Sequence, residues 1–279
     1  MIPLPDLLRF IAEDAPSGDL TTDVLAPLGR CRARVFLREA GVAAGVEEAA
    51  ALFTHSGVAV LSAAPDGTPV EADAPLLSLE GDAAPILLVE RTALNLIGRM
   101  SGIATMTRAL VEAAHREHPT VRVAATRKTA PGLRLLDKKA VVLGGGDPHR
   151  ATLSDGILIK DNHLALIPLA EAIRRARSRG AGKRIEVEVS TIPDALTAAE
   201  MGADTIMLDN MDLRSLRAVL ADLRKRGLRD LVEIEISGGI TPENIARYAA
   251  LGPDRISVGR LTHSPRSLDV SLEVTPAPE

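Results

Sequence analysis

From Thr120 onward the chain alternates short stretches rich in Val and Ile with longer amphipathic ones. The short stretches fall at 121–126, 156–160, 184–189, 205–209, 231–237 and 255–259, and read as strands. Helical periodicity fills most gaps between them, at 166–179, 192–201, 213–226 and 242–250. Repeated βα units demand a parallel sheet with right-handed crossovers. A closed eight-stranded barrel takes roughly 250 residues. The six strands here therefore predict an incomplete α/β barrel.

The first 82 residues have another texture. A helix at 7–13, strands at 31–38, 58–63 and 76–79, and a helix at 45–55 do not alternate regularly, and Pro65-Asp66-Gly67 marks a turn. This predicts a smaller α+β sandwich domain. Asp82 as N-cap with Pro85 just inside predicts a helix through Ile97, a break at Ser101-Gly102, and a second helix to Arg116. The expected division is an N-terminal domain with helical connector over 1–103, a barrel over 104–265, and a tail at 266–279 packed on the N-terminal domain.

Polar chemistry gathers at the C-terminal end of each expected barrel strand. The first ends at Thr126-Arg127-Lys128, the second at Lys160, the third near Glu188 and the fourth at Asp209. The fifth ends at Ser237-Gly238-Gly239, and the sixth at Gly259, shortly before His263. A lone strand-end lysine is usually a solvated charge. Six successive strands delivering such groups to the face where parallel barrels do their chemistry point to an active site.

Arg127, His149, Arg150 and Lys160 form one cationic set, with Arg127 and Lys160 expected on adjacent strands. Arginine grips a carboxylate with two parallel hydrogen bonds and lysine adds a point charge, so the set suits a small ligand with more than one carboxylate. Ser237-Gly238-Gly239, followed by Thr241 as N-cap and Pro242 as first helical residue, and then Gly259, read as phosphate cradles. Glu188 and Asp209 offer hard oxygen ligands for Mg²⁺, through water, or for ribose hydroxyls. Glu186 shares a strand face with Glu188, and the residue nearer the strand end is preferred.

The composition removes other classes. The net charge of −4 and pI near 5.9 give no reason to expect nucleic acid or an anionic membrane as partner. Three Phe, one Tyr and no Trp cannot build a base-stacking platform. The single cysteine, Cys31, excludes an internal disulfide and a cysteine zinc site. The N-terminus has no signal-peptide pattern and the apolar runs are too short to span a bilayer, so a cytoplasmic location is expected.

Eight ordered segments carry a family resemblance: RTALNLIGRMSGIAT at 91–105, TRKTAPGLR at 126–134, GGGDPHR at 144–150, LIKDNH at 158–163, EVEV at 186–189, MLDNM at 207–211, SGGIT at 237–241 and SVGRLTHS at 257–264. With Gly18-Asp19-Leu20-Thr21-Thr22 at one end and Leu268-Asp269 at the other, the chain resembles the carboxylating nicotinate-nucleotide pyrophosphorylases, the quinolinate phosphoribosyltransferases. The resemblance implies that quinolinate and phosphoribosyl pyrophosphate give nicotinate mononucleotide, pyrophosphate and CO₂, with Mg²⁺, in NAD biosynthesis. It implies that Arg127, His149, Arg150 and Lys160 hold the quinolinate carboxylates. It places Arg91 in a segment that reaches the active site of another subunit, so that the working unit is a homodimer or larger assembly with shared sites. Lys128, Glu188 and Asp209 would serve ribose, pyrophosphate and metal. Ser237, Gly238, Gly239, Gly259 and His263 would hold phosphate, and Lys128, Lys160, Glu188 and Asp209 would be the catalytic set. The sequence departs from the family's usual residues at Ala130 and at Ala151-Thr152.

Other readings share parts of the pattern. A paralogous phosphoribosyltransferase would act on another anionic acid. A barrel lyase would use Lys160 as a Schiff-base amine. A biotinyl-type carrier is suggested by DGTPVEADAPLLSLEG, but the segment has no lysine at a hairpin tip.

Overall fold

A computed structural model describes residues 2–277. The chain opens with helices α1 (Leu4–Asp14) and α2 (Leu20–Leu25), strands β1 (Arg30–Leu37) and β2 (Gly41–Val42), and helix α3 (Val46–His55). Strands β3 (Ala59–Ala63), β4 (Pro69–Val70) and β5 (Pro75–Asp82) lead directly into the long helix α4 (Ala83–His115). Then follow β6 (Arg122–Ala124), α5 (Arg134–Leu143), β7 (Ile157–Ile159), α6 (Asp161–Leu164), α7 (Leu169–Arg179), β8 (Ile185–Val189) and α8 (Ile192–Glu200). The chain continues through β9 (Thr205–Asp209), α9 (Leu213–Lys225), β10 (Glu233–Ser237), α10 (Ile245–Ala249), β11 (Arg255–Ser257), α11 (Arg260–His263) and β12 (Val270–Pro276).

Two compact units form, both discontinuous in sequence. One holds residues up to Arg108 together with Leu135–Gly145 and the chain from Pro265, and the other holds Ala109–Arg134 and Gly146–Ser264. The expected boundary at 103/104 thus shifts slightly, and residues 135–145, expected in the barrel, group with the first unit. Residues 278 and 279 of the expected tail lie outside the described residues.

The first unit is built on an antiparallel sheet ordered β12-β1-β5-β3. In β1 the period-two pattern is plain: Cys31, Ala33 and Val35 are buried while Arg30, Arg32 and Arg34 face out. Helix α3 packs on β3 and β5, and α1 packs on α3. Phe36, Leu52, Phe53, Leu77 and Leu79 are fully buried in this core.

Helix α4 corrects one expectation. It runs unbroken through Ser101 and Gly102. Ser101 is fully buried, and its Oγ accepts from the Ala44 N–H at 3.1 Å and donates to the Ala44 carbonyl at 3.2 Å. A Cβ on Gly102 would lie 1.8 Å from the Arg266 carbonyl oxygen, and one on Gly98 2.9 Å from that of Leu268. These residues let other segments approach the helix and do not end it.

The second unit contains six parallel strands in the order β6-β11-β10-β9-β8-β7. This is the expected incomplete α/β barrel, with β6 and β7 as its outermost strands. Strands β8, β9 and β10 are buried along almost their whole length, as sheets covered on both faces require. Local signals start the helices that follow. The Thr191 side chain accepts from the Asp194 N–H at 3.2 Å to cap α8, and Asp212 accepts from Ser215 at 2.7 Å to cap α9. Among the described residues no helix is long and apolar enough to cross a membrane.

Candidate active site

Strand parity arranges the interior of the second unit in layers. Side chains two residues apart on a strand share a face. At the C-terminal rim stand Lys160, Glu188, Asp209, Ser237 and Gly259, one from each of the strands β7 to β11, with Arg127 following β6. One layer deeper stand Leu158, Met207, Glu235 and Ser257 with Ala125. These layers line one cavity of about 550 Å³. Lys128, His149, Arg150, Gly238, Gly239 and His263 also line it. Of the site residues expected from sequence, only Arg91 does not: it lies exposed on α4 in the first unit.

The cationic side is crowded. Arg127 and Lys160 follow strands at opposite edges of the sheet, not adjacent strands as expected, yet both line the cavity. The Arg127 Nε is buried without a hydrogen-bond partner among the described residues. Burial and then the like charge of Arg127 hold the Arg150 pKa below its ordinary value. Two guanidinium groups that repel each other at one wall make an anion-binding wall. Arg150 Nη1 donates to the Gly156 carbonyl at 3.3 Å, which ties this arginine to the approach of β7. Lys160 is ion-paired with Glu188.

The local fold of Asp147-Pro148-His149-Arg150 follows from Asp147. Its main chain bridges β6, with the Asp147 N–H donating to Val123 at 2.8 Å and the Ala125 N–H donating to Asp147 at 3.0 Å. Its Oδ1 accepts from the His149 N–H at 2.7 Å, a two-residue side-chain turn. His149 Nε2 then lies 3.3 Å from Glu235 Oε2 and 3.4 Å from Glu186 Oε2. The Arg150 N–H donates to His149 Nδ1 at 2.7 Å. Burial favours the neutral ring, but hydrogen bonding to Glu186 and Glu235 outweighs it and raises the pKa to about 9. Accepting the Arg150 amide requires an unprotonated Nδ1 and so works against that rise, while the geometry turns Nε2 toward the two carboxylates. In this structure both ring nitrogens have protein partners, Nε2 the two carboxylates and Nδ1 the Arg150 amide.

The opposite side suits phosphate. Gly238 and Gly239 have φ of 98° and 62°, so successive N–H groups turn into a concave nest. A Cβ on Gly238 would come within 2.3 Å of Asn210 Oδ1, so only glycine fits there. The expected cap at Thr241 does not form. Residues 241–244 make a turn in which Asn244 Oδ1 accepts from the Thr241 N–H at 2.8 Å, and α10 starts only at Ile245. Gly259 lets His263 and Lys128 close in, since a Cβ there would sit 3.1 Å from the His263 ring and 3.5 Å from the Lys128 side chain. Thr262 Oγ1 donates to the Lys128 carbonyl at 2.9 Å and fixes that loop.

Sequence reasoning passed over Asn210, Glu235 and Ser257. Asn210 adopts φ 52° and donates through Nδ2 to Asp209 Oδ2 at 2.6 Å, which orients that carboxylate. The alternation in Glu233–Ser237 could have flagged Glu235, which shares the inward face of Ser237.

An incomplete α/β barrel with a guanidinium wall, a diglycine nest and two carboxylates at its mouth defines an enzyme-like site for a phosphorylated substrate and an organic polyanion. Comparison with known proteins makes the class specific. Residues 103–273 match the quinolinate phosphoribosyl transferase C-terminal domain, and residues 19–101 match the N-terminal domain of the same family. The chain is 45% identical over 273 residues to a probable nicotinate-nucleotide pyrophosphorylase [carboxylating] of Methanothermobacter thermautotrophicus, covering 96% of this chain and 98% of that one. It is 40% identical over 276 residues to the nicotinate-nucleotide pyrophosphorylase [carboxylating] of Mycobacterium leprae, covering 95% of each. The solved nicotinate-nucleotide pyrophosphorylase from Francisella tularensis superposes with a TM-score of 0.90 at 33% identity, over 99% of this chain and 98% of that one. The chain belongs to the quinolinate phosphoribosyl transferase family.

Proposed function

We propose that this protein transfers the phosphoribosyl group of phosphoribosyl pyrophosphate to quinolinate with loss of CO₂, giving nicotinate mononucleotide and pyrophosphate for NAD biosynthesis. Family membership supports the reaction. The single observation that carries the site is the meeting, in one cavity, of a repelling Arg127–Arg150 wall with the Gly238-Gly239 nest.

Arg127, Arg150 and Lys160 hold the two carboxylates of quinolinate and direct its ring nitrogen toward the anomeric carbon. The N–C bond forms as the bond to pyrophosphate breaks, with Lys128 stabilising the charge on the leaving group. The cationic pyridinium then accepts the electron pair left at the ring carbon when CO₂ departs, and a proton completes the product. The phosphate of the ribosyl group sits against Ser237, Gly238, Gly239, Gly259 and His263. Glu188 and Asp209, on paired strands at the mouth, fit Mg²⁺ held largely through water and substrate oxygens. Bound there, the ion supplies neutralisation of pyrophosphate charge. Because Glu188 is ion-paired with Lys160, an acid that takes Lys160 frees Glu188 for the metal-bearing substrate, and the reverse. That pair engages the Lys160 Nζ in a salt bridge, which disfavours a Schiff-base role.

The resemblance of the segment at 91–105 to the family supports a homodimer or larger assembly in which Arg91 serves a second subunit's site. Phosphorylated substrates and products do not cross membranes unaided, which supports a cytoplasmic setting.

Purified protein supplied with quinolinate, phosphoribosyl pyrophosphate and Mg²⁺ is expected to release nicotinate mononucleotide and CO₂ in equal amounts. Binding of phosphoribosyl pyrophosphate without consumption of quinolinate would move the function to a paralogue with a different acid.

A further inference from the structure

His149 has φ 52°, a left-handed conformation that a non-glycine residue adopts at a cost and keeps only where its surroundings over-determine it. Its main chain is fixed by Asp147 and its ring by two buried carboxylates, Glu235 and Glu186. Glu235 is fully buried and saturated: Oε1 accepts from Ser257 Oγ at 2.5 Å, and Oε2 accepts from Arg255 Nη1 at 3.0 Å and meets the His149 ring. Glu186 Oε1 is buried with no hydrogen-bond partner among the described residues, and its Oε2 meets the His149 ring. Burying two carboxylates beneath one ring is costly unless the ring is what they serve. The ring in turn uses Nδ1 to hold the Arg150 amide.

We infer that Glu235 and Glu186 are positioning residues for the acid-binding wall: they hold the His149 ring, and the ring holds the main chain from which Arg150 projects. Substrate touches Arg150, and the two carboxylates act on it through His149. This rests on the assignment of Arg150 to the quinolinate pocket.

Steady-state kinetics on three variants test the chain of contacts. Glu235→Gln keeps the side-chain shape, and His149→Asn suits a left-handed backbone while removing the ring. Each is expected to raise KM for quinolinate about tenfold, with KM for phosphoribosyl pyrophosphate within about twofold and kcat within about threefold. Because both act through one ring, the double variant should show the tenfold rise of either single change and no more. Additive effects in the double variant, or a KM rise shared equally by both substrates, overturns the inference. If Glu235→Gln does not fold, Ser257→Ala decides. It removes one bond to Glu235, and a rise of about threefold in the quinolinate KM alone supports the inference, whereas an unchanged KM overturns it. Arg150→Lys separates this inference from the reading beneath it. An unchanged quinolinate KM in that variant sinks the acid pocket itself, while a raised KM there beside a normal Glu235→Gln enzyme sinks only the relay.

Discussion

Arg127 and Arg150 stand close enough for the charge of one to lower the pKa of the other, and that repulsion is stored in the free protein. A dicarboxylate between them would relieve it and gain hydrogen bonds to charged donors, each worth about 1.5–3 kcal/mol. Arg127→Ala and Lys160→Ala are therefore each expected to lower kcat/KM for quinolinate about a hundredfold or more, equivalent to about 2.7 kcal/mol. Thermal midpoints should stay within a few degrees, because Arg127 makes no internal hydrogen bond through its buried Nε and Lys160 is partly exposed. Normal turnover in both variants would remove the acid pocket. The cations were legible in the sequence because each stands at a strand end, where polar chemistry is out of place unless the barrel mouth uses it. Glu186 was set aside for Glu188 and Glu235 was passed over, because both lie one layer deeper, where an inward strand position calls for an apolar side chain. Only the closure of β8 and β10 around His149 shows what they meet.

At the scale of elements, the βα alternation fixed the six barrel strands because parallel sheets leave an unmistakable period. Three features escaped. Strand β12 is an edge strand, half-buried at most, and its pattern of Ser, Glu and Thr among Val and Leu carries little signal. Helix α5 buries Leu136, Ala140 and Val141 but also Asp137 and Lys138, with the Asp137 carboxylate taking Arg99 at 2.7 and 2.9 Å, and buried charge blurs the hydrophobic period. The unbroken α4 ran against a correct rule about Ser-Gly pairs, since here the small residues admit the 265–268 segment. Gly98 and Gly102 are one helical turn apart on one face, and the crossing main chain uses both. Alanine favours helix by about 1 kcal/mol over glycine, so propensity alone predicts that Gly102→Ala stabilises. With a carbonyl oxygen 1.8 Å from the new Cβ, the opposite is expected: a loss of about 3 kcal/mol or more as main chain is forced aside. Gly98→Ala, with 2.9 Å available, should cost less. Urea unfolding of the two variants measures this, and a Gly102→Ala midpoint at or above that of the parent would show that the close crossing is dispensable.

At the scale of the whole molecule, one expected site residue belongs to the first unit. Arg91 sits exposed on α4, in the first unit, with no ion pair among the described residues. A long cationic side chain left exposed is ordinary on a surface. The family resemblance gives it another use, as a ligand delivered to the site of a second copy. That proposal has a consequence no monomeric site shares. An Arg91→Ala chain keeps its own barrel intact and fails its partner, whereas a Lys160→Ala chain has a damaged barrel and a sound Arg91. When the two inactive variants are mixed under conditions that exchange subunits, a mixed dimer contains one site built from an intact barrel and an intact Arg91. With random exchange half of the dimers are mixed and each has one good site, so about a quarter of the parental activity should return. Exchange itself is followed by mass spectrometry of differently labelled chains, which separates a failure to mix from a failure to complement. Mixed dimers that form and stay inactive would mean that Arg91 acts within its own chain or not at all.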